Sequence, residues 1–405
     1  MQLPEDFIRN TREVMGDERF NRYLKAFDEE PPVSIRLNPL KVEGGRTKVE
    51  SGEPVPWCQE GYYLPRRPNF TMDPLLHAGC YYVQEAASMF VSHILRQYVT
   101  EPVTMLDLCA APGGKSTAAI SALPKGSTLY ANEPIRNRAS ILLENITKWG
   151  HPDCIVTNNY PRDYRASKFC FDVILCDVPC SGEGMFRKDE ATIREWSQQN
   201  VEKCWQLQRE IVADAWTCLR DGGLLIYSTC TFNTKENEEN VRWICEEYDA
   251  EVLPVDVKPE WNITGSLLPG FDQPVYRFIP GITRSEGLFM CVIRKGPSPY
   301  PSLLREGKKV SKSENRHLTI LPSLNREGEG EGLGLSYPQA IAYLRGEALT
   351  LPPDTPRGIV EVSFQGHVLG PAKNIGTRAN NLYPKEWRIK TTHIPNDYEA
   401  ILRHT

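Results

Sequence analysis

The chain has 405 residues, 40% of them hydrophobic and 24% charged, and a formal net charge of −5. That is a globular composition with room for two or three domains, and its acidic balance excludes nucleic-acid binding by the global field, so any RNA contact must come from local basic patches. No apolar run reaches the roughly 18 residues of a membrane span, the acidic start MQLPEDFIRN is not expected to act as a secretory signal, and the 12 cysteines, without a CxxC pair, argue for free thiols in a reducing cytoplasm rather than zinc or disulfides.

In chain order, residues 1–80 make a first unit. Phe7, Ile8, Val14, Phe20, Tyr23, Leu24 and Phe27 recur at helical spacing, which predicts one or two helices before Pro31-Pro32. Val33 to Lys41, VSIRLNPLK, alternates like a strand. Trp57, Tyr62, Tyr63, Arg66, Arg67 and Phe70 interleave aromatic and basic groups, a mixture suited to stacking on RNA bases and holding phosphates. The plainer reading of the same residues is a small α+β domain with exposed arginines. Tyr81 to Tyr98 reads as one amphipathic helix leading into the next unit.

From Val103 a strand–helix rhythm sets in. Val103, Met105, Leu106 and Leu108 predict a buried strand, the chain breaks at Pro112-Gly113-Gly114, and a small-residue helix follows over Ser116 to Leu123. Strand, glycine turn and helix start together present backbone N–H groups to a ligand. The phosphate-binding P-loop is excluded, because it needs a glycine where Cys109 stands. A second strand, Thr128–Asn132, ends at Glu133, and a helix runs from about Arg136 to Trp149. A third strand, Cys154 to Asn158, leads into a polar loop, and a fourth, Phe171 to Cys176, ends at Asp177. After a long helix, Asn200 to Leu219, Asp221-Gly222-Gly223 turns into a fifth strand, Leu224 to Ser228. Tyr276–Ile279 and Leu288–Arg294 read as a closing hairpin. This alternation predicts an α/β fold with a doubly wound, Rossmann-like sheet over residues 81–296, whose ligand lies at the carboxyl ends of the strands. Residues 297–334 read as a linker and 335–405 as a small separate unit, with a helix over Pro338 to Leu344 and strands around Gly358–Phe364 and His367–Leu369. Lys373, Arg378, Lys385, Arg388 and Lys390 face a single acid there, Glu386, a local positive patch suited to RNA.

The residues with chemistry gather at those strand ends. An acid ending the second strand, some twenty residues past a glycine turn, is where a ribose diol is held, and Glu133 stands in that place. APGGK is not GxGxxG, so S-adenosylmethionine suits the site better than a dinucleotide. Lys115 at the helix start reaches toward a carboxylate or phosphate-like group, and Asp107 supports the loop or the cofactor's amino group. Asp177-Val178-Pro179-Cys180-Ser181-Gly182 follows the fourth strand, and Ser228-Thr229-Cys230-Thr231 follows the fifth, with Asn233 and Glu236 placed to cap the next helix. Two thiols thus emerge side by side, next to a carboxylate.

LDLCAAPGGKST, LCDVPCSGEGMFRKD and YSTCTFNTKENEENV resemble the motifs of the RNA cytosine-5 methyltransferases of the Sun/Fmu (RsmB/RsmF) family, most closely its bacterial ribosomal RNA enzymes. The resemblance extends to RLNPLK and YYVQEAASM near the start and to VSFQGHVLGPAKNIGTRANNLYP near the end, so it spans nearly the whole chain. It implies an RNA-binding α+β unit over 1–80, the methyltransferase unit over 81–296 and a PUA-like β-barrel over 335–405. It further implies S-adenosyl-L-methionine as cofactor, held by Cys109, Ala110, Ala111, Pro112, Gly113, Gly114, Lys115, Glu133, Arg138, Asn159 and Asp177. Position 159 departs from the pattern, which usually has Asp there. By the same resemblance Cys230 is the nucleophile, Cys180 assists product release and Asp177 holds the cytosine N3/N4 edge. The nucleophile needs a lowered pKa, for which Lys115, Arg187, Lys188 and the helix start after Cys230 are the candidates. The expected partner is RNA, small-subunit 16S ribosomal RNA first and transfer RNA second, with no metal and no membrane, for a monomer in the cytoplasm. A non-catalytic ribosome-assembly factor on the same fold is the competing reading from another class. A methyltransferase acting on an exocyclic amine is disfavoured, because Asp177 is followed by Val-Pro-Cys and not by Pro-Pro-aromatic.

Overall fold

Val173–Cys176 and Leu224–Tyr227 are unbroken apolar runs within their strands, which is the pattern of a sheet covered on both faces. The structure, a computed structural model, describes residues 3–42, 47–167, 169–297, 319, 332–391 and 398–404. Its central sheet contains β1 (Thr104–Asp107), β2 (Thr128–Asn132), β3 (Cys154–Thr157), β4 (Phe171–Asp177), β5 (Leu219–Thr229), β6 (Ala250–Leu253), β7 (Tyr276–Phe278) and β8 (Leu288–Lys295). The spatial order is β6-β8-β5-β4-β1-β2-β3, with β7 paired to β8. β3, β2, β1, β4 and β5 run parallel, and β8 is antiparallel to β5, β6 and β7. The strand order reverses between β1 and β4, the point where a doubly wound sheet opens a crevice for ligand. Met105, Val173, Leu175, Leu224 and Ile226 enter one core. Leu106, Ile174, Cys176, Leu225 and Tyr227 enter the other. Successive side chains thus bury on opposite faces, as the pleat requires. The covering helices are α1 (Gly114–Ala122), α2 (Arg136–Trp149), α3 (Gln198–Cys218) and α4 (Glu238–Glu247).

Several expectations need correction. Tyr81 to Tyr98 is not one helix: Tyr81–Val83 is a strand paired with Val33–Leu37, a 3-10 turn follows at Ala87–Met89, and the helix is Phe90–Tyr98. Two tyrosines and a valine in a row prefer a pleated surface to a helical one. The loop after β3 contains a helix, Pro161–Ser167, and β5 begins at Leu219, with a register shift between Leu219 and Leu224 where the two glycines stand. The region after 335 packs against the first unit. Its Leu335, Tyr343, Leu344, Leu369 and Tyr383 share one apolar core with Ile35, Leu37, Leu75 and Tyr81, and Leu402–His404 pairs with Thr47–Val49. Most of the expected linker, 298–318 and 320–331, lies outside the described residues.

The first unit holds the site from behind. Arg36 of RLNPLK is buried, donates to Gln84 Oε1 (2.8 Å) and to Thr117 Oγ1 in α1 (2.6 Å), and stacks on Trp149 of α2 at 4.4 Å. The helices Glu5–Met15 and Asp17–Lys25 lie over the loops that follow β4 and β5: Phe7 meets Phe186 at 4.9 Å and Trp196 at 5.6 Å, and Tyr23 meets Phe232 at 5.2 Å. Phe7 is fully buried in that cluster. Truncating it leaves a cavity between helix and loops, so Phe7→Ala is expected to lower unfolding free energy by about 3–5 kcal/mol in urea titrations.

Candidate active site

The pairing of β4 with β5 places Ser228 opposite Asp177. Cys180 follows one of these by three residues and Cys230 follows the other by two, so both turns start from the same level of the sheet. Their sulfurs come to 3.2 Å, and the Cys230 backbone N–H donates to Cys180 Sγ at 3.3 Å. The Gly184 N–H donates to the Cys230 carbonyl (2.8 Å), and Ser181 Oγ and Thr231 Oγ1 share a hydrogen bond of 2.9 Å. The contact with Cys230, then burial, pushes the Cys180 thiol well above its ordinary pKa.

Lys115 opens α1 and donates to Asp177 Oδ2 at 2.8 Å. Burial alone would lower the Lys115 pKa, but the Asp177 charge and hydrogen bond outweigh it and the net shift is upward. Lys115 is thus an ammonium standing between the glycine turn and the thiol pair. Gly113 adopts φ +116°, a left-handed conformation that side chains resist, and a Cβ there would meet Leu142 Cδ1 at 3.2 Å.

Two acids face the turn incompletely satisfied. Asp107 Oδ2 accepts from Ser116 Oγ (2.6 Å) and Glu133 Oε1 from the Ile135 N–H (3.0 Å). Among the described residues, Asp107 Oδ1 and Glu133 Oε2 are buried without a hydrogen bond. Arg138 reaches Glu133 Oε2 only as a 3.4 Å ion pair and donates to the Ala111 carbonyl at 3.0 Å. Burial, before any other cause, pushes Asp107 up to about 7. Asn159 lies beyond β3, its N–H donating to Asn132 Oδ1 (3.0 Å). Its side-chain amide pairs with the Thr319 backbone in both directions, accepting from N–H at 2.7 Å and donating to the carbonyl at 3.2 Å. An aspartate there could make only the first of these bonds.

The structure thus brings Cys109 to Lys115, Glu133, Arg138, Asp177, Cys180 and Cys230 to one edge of the sheet, with Asn159 at its β3 end. Other expectations fail. Asn233 and Glu236 do not cap α4, which begins at Glu238 behind Asn237; Asn233 Oδ1 accepts from the Glu236 N–H (2.9 Å), and Glu236 turns back to Ser181. For the same reason no helix start follows Cys230 directly. Arg187 is spent on Glu286 (2.6 Å). Trp57, Tyr63 and Phe70 are core residues, unable to stack on RNA, while Arg66 and Arg67 remain exposed. Sequence reasoning missed Glu183, an acid in the quoted SGEG turn that is only 2% exposed. The one signal was its place between Cys180 and a buried phenylalanine.

A sequence profile described as 16S rRNA methyltransferase RsmB/F matches residues 96–294, one described as the N-terminal domain of 16S rRNA methyltransferase RsmF matches 3–86, and one described as the methyltransferase RsmF PUA domain matches 332–389. The ribosomal RNA small subunit methyltransferase F of Salmonella agona is 30% identical over 95% of this chain and 96% of its own length. The chain belongs to the RsmB/F family. That of Pectobacterium atrosepticum is 33% identical over 76% of this chain, an alignment that spans 66% of its own length. Among solved structures, a methyltransferase homolog from Pyrococcus horikoshii is 27% identical, superposes with a TM-score of 0.61 and covers 72% of this chain and 95% of that one. The three matched regions, the first unit, the sheet and the PUA domain, occur together in this chain.

Asp107 carries a pH signature. Folded, it keeps its proton up to about pH 7; unfolded, it loses it above the ordinary 3.8. Its contribution to stability is complete below the lower value and lost as pH rises through the higher one. Asp107→Asn is expected to flatten the fall of the thermal midpoint between pH 5 and 7, measured by calorimetry as a slope and not as an absolute shift.

Proposed function

We propose that this chain methylates carbon 5 of cytosine in RNA, in the first instance 16S ribosomal RNA, through a covalent adduct with Cys230. The observation that carries the reading is the pair of sulfurs 3.2 Å apart beside Asp177 at the ligand edge of the sheet. One thiol would serve a simple displacement. Two thiols and a carboxylate suit a reaction that must make and later break a bond to the base. The ribosomal substrate is supported by the relatives' names, which are ribosomal RNA small subunit methyltransferases.

The residues around the glycine turn fit S-adenosylmethionine. The unsatisfied Glu133 oxygen suits a ribose hydroxyl, the turn from Cys109 to Gly114 offers backbone N–H groups at the start of α1, and Asn159 Oδ1 keeps a second lone pair for the adenine amine. Bound there, S-adenosylmethionine supplies an electrophilic methyl group.

The chain's own residues do the rest. Carbon 5 of cytosine is a weak nucleophile, and addition of the Cys230 sulfur at carbon 6 turns the ring into an enamine whose carbon 5 is electron-rich. Asp177 hydrogen-bonds the N3/N4 edge and favours this addition. Lys115, 2.8 Å from Asp177, sets the charge of the pocket. Once carbon 5 has taken the methyl group, a base removes the carbon 5 proton, the electron pair of that bond re-forms the ring double bond and expels the Cys230 sulfur from carbon 6, and Cys180 assists that release. The target base must be unpaired or flipped out to reach the sulfurs.

The test is a denaturing gel of wild type, Cys180→Ala and Cys230→Ala with ribosomal RNA and labelled S-adenosylmethionine. Cys180→Ala is expected to accumulate a slow-migrating protein–RNA complex and Cys230→Ala to form none. A complex trapped only when Cys230 is removed reverses the roles. Failure of wild type to label any ribosomal or transfer RNA favours a non-catalytic assembly factor.

A further inference from the structure

The turns that carry the thiols are tied together by more than their strands. Glu183 lies three residues past Cys180, yet its Oε2 accepts from the backbone N–H groups of Phe232 (2.7 Å) and Asn233 (3.1 Å), on the other cysteine's turn. Glu236 lies six residues past Cys230, and its Oε2 accepts from the Ser181 N–H (3.0 Å), on the first cysteine's turn. Each carboxylate crosses to the opposite turn. Asn233 joins the two, its Nδ2 donating to Glu183 Oε1 at 3.1 Å and to Glu236 Oε1 at 2.7 Å. Trp196 Nε1 (3.0 Å, to Glu183) and Gln208 Nε2 (2.7 Å, to Glu236) complete the shells.

Burying two acids that share one amide is costly. Desolvation alone is several kcal/mol per ion, more than a neutral hydrogen bond returns. Burial first, then the Glu183 charge, pushes Glu236 up to about 7. A chain that needed only to close these turns would do better with apolar side chains. What a carboxylate adds is two acceptor oxygens at fixed places, each able to take more than one N–H. Here those N–H groups belong to the residue after Cys180 and to the second and third residues after Cys230.

We propose that Glu183 and Glu236 are positioning residues for the thiol pair, their crossed carboxylates holding the two sulfurs at the spacing at which Cys180 can serve the adduct on Cys230. This rests on the covalent reading above. Neither acid bonds a sulfur directly; they act through the backbone of Ser181, Phe232 and Asn233. Glutamine in either place keeps the shape but turns one acceptor oxygen into a donor, so that an N–H meets an N–H and one link, a crossing bond or the Asn233 bridge, is lost.

Spacing can be read without RNA. Phenylarsine oxide, a trivalent arsenical, bridges two thiols only when they lie close together, and peptide mass spectrometry reports which two. Wild type is expected to form the Cys180–Cys230 bridge and Cys180→Ala to form none. Glu183→Gln, Glu236→Gln and Asn233→Ala should slow it at least tenfold while still melting cooperatively. Asn233→Ala sets no N–H against an N–H, though it leaves Glu236 Oε1 without its donor, and serves where a glutamine variant does not fold. In turnover, Glu236→Gln should lower kcat at least tenfold with KM for RNA within twofold, and should accumulate the covalent complex as Cys180→Ala does. A merely structural residue would instead raise KM and lower stability without trapping any adduct. Bridging and kcat within threefold of wild type in the folded variants would overturn the proposal. If wild type forms no covalent RNA complex at all but the variants still lose the arsenical bridge, the covalent reading falls and the positioning of the sulfurs stands.

Discussion

The register between β4 and β5, with Ser228 opposite Asp177, is the constraint on which the thiol arrangement depends. A slip by one residue moves every side chain to the other face. In a sheet that is apolar on both faces such a slip would still bury hydrocarbon, so the hydrophobic pattern does not forbid it. The polar ends do. At the start of β4, Asp172 accepts from the Thr104 N–H (2.8 Å) on β1 and pairs with Arg220 on β5. At its finish, Asp177 meets Lys115. A shift in either direction would draw one of these carboxylates into the core without its donors, at a cost of several kcal/mol. Burial of each Ile, Leu or Val contributes about 1.5–3 kcal/mol toward making the sheet; the two aspartates decide how it lines up.

The site then works by what it leaves unsatisfied. Asp107 and Glu133 each hold one buried oxygen without a hydrogen bond, while Glu183 and Glu236 take three or more donors each. The first pair lies on the side proposed for the cofactor, the second behind the sulfurs. A buried acceptor without a donor is a debt that a ligand's hydroxyl or amine can settle, whereas a saturated one is scaffold. Acids of one chemical type thus divide into two roles by their partners alone.

That division also marks what could be read from the residues in order. β2 over Thr128–Asn132 and α2 from Arg136 to Trp149 match their expected limits because local pattern and capping glycine agree with the packing. Cys109, Glu133, Asn159, Asp177, Cys180 and Cys230 could be placed at strand ends because the rule that puts ligands at carboxyl ends is topological. Tyr81–Val83 reads as helix in the sequence because the helical spacing of Phe90–Tyr98 downstream extends across it. Asn233 and Glu236 looked like caps because their sequence neighbourhood fits one; their partners Glu183 and Ser181 lie some fifty residues away, and only the register of β4 with β5 brings them near. Exposed and buried aromatics in the first unit have the same local sequence, so Trp57 and Tyr63 could not be told from RNA-stacking residues without the fold.

The shared core of the first and last units bears on how an acidic chain would engage RNA. Ile35, Leu37 and Tyr81 pack with Leu335, Tyr343 and Leu369, and Arg36 in the same first strand reaches Thr117 in α1. An unbroken series of packed elements therefore runs from the basic residues Lys373, Lys385 and Arg388 to the turn beside Lys115. Under the proposed function, phosphates held at the last unit would lie on elements packed through the first unit to the helix that carries Lys115. Binding energy gained there can then orient a base at Cys230 instead of merely retaining the RNA, which is the use of remote contacts that raises turnover and not only affinity.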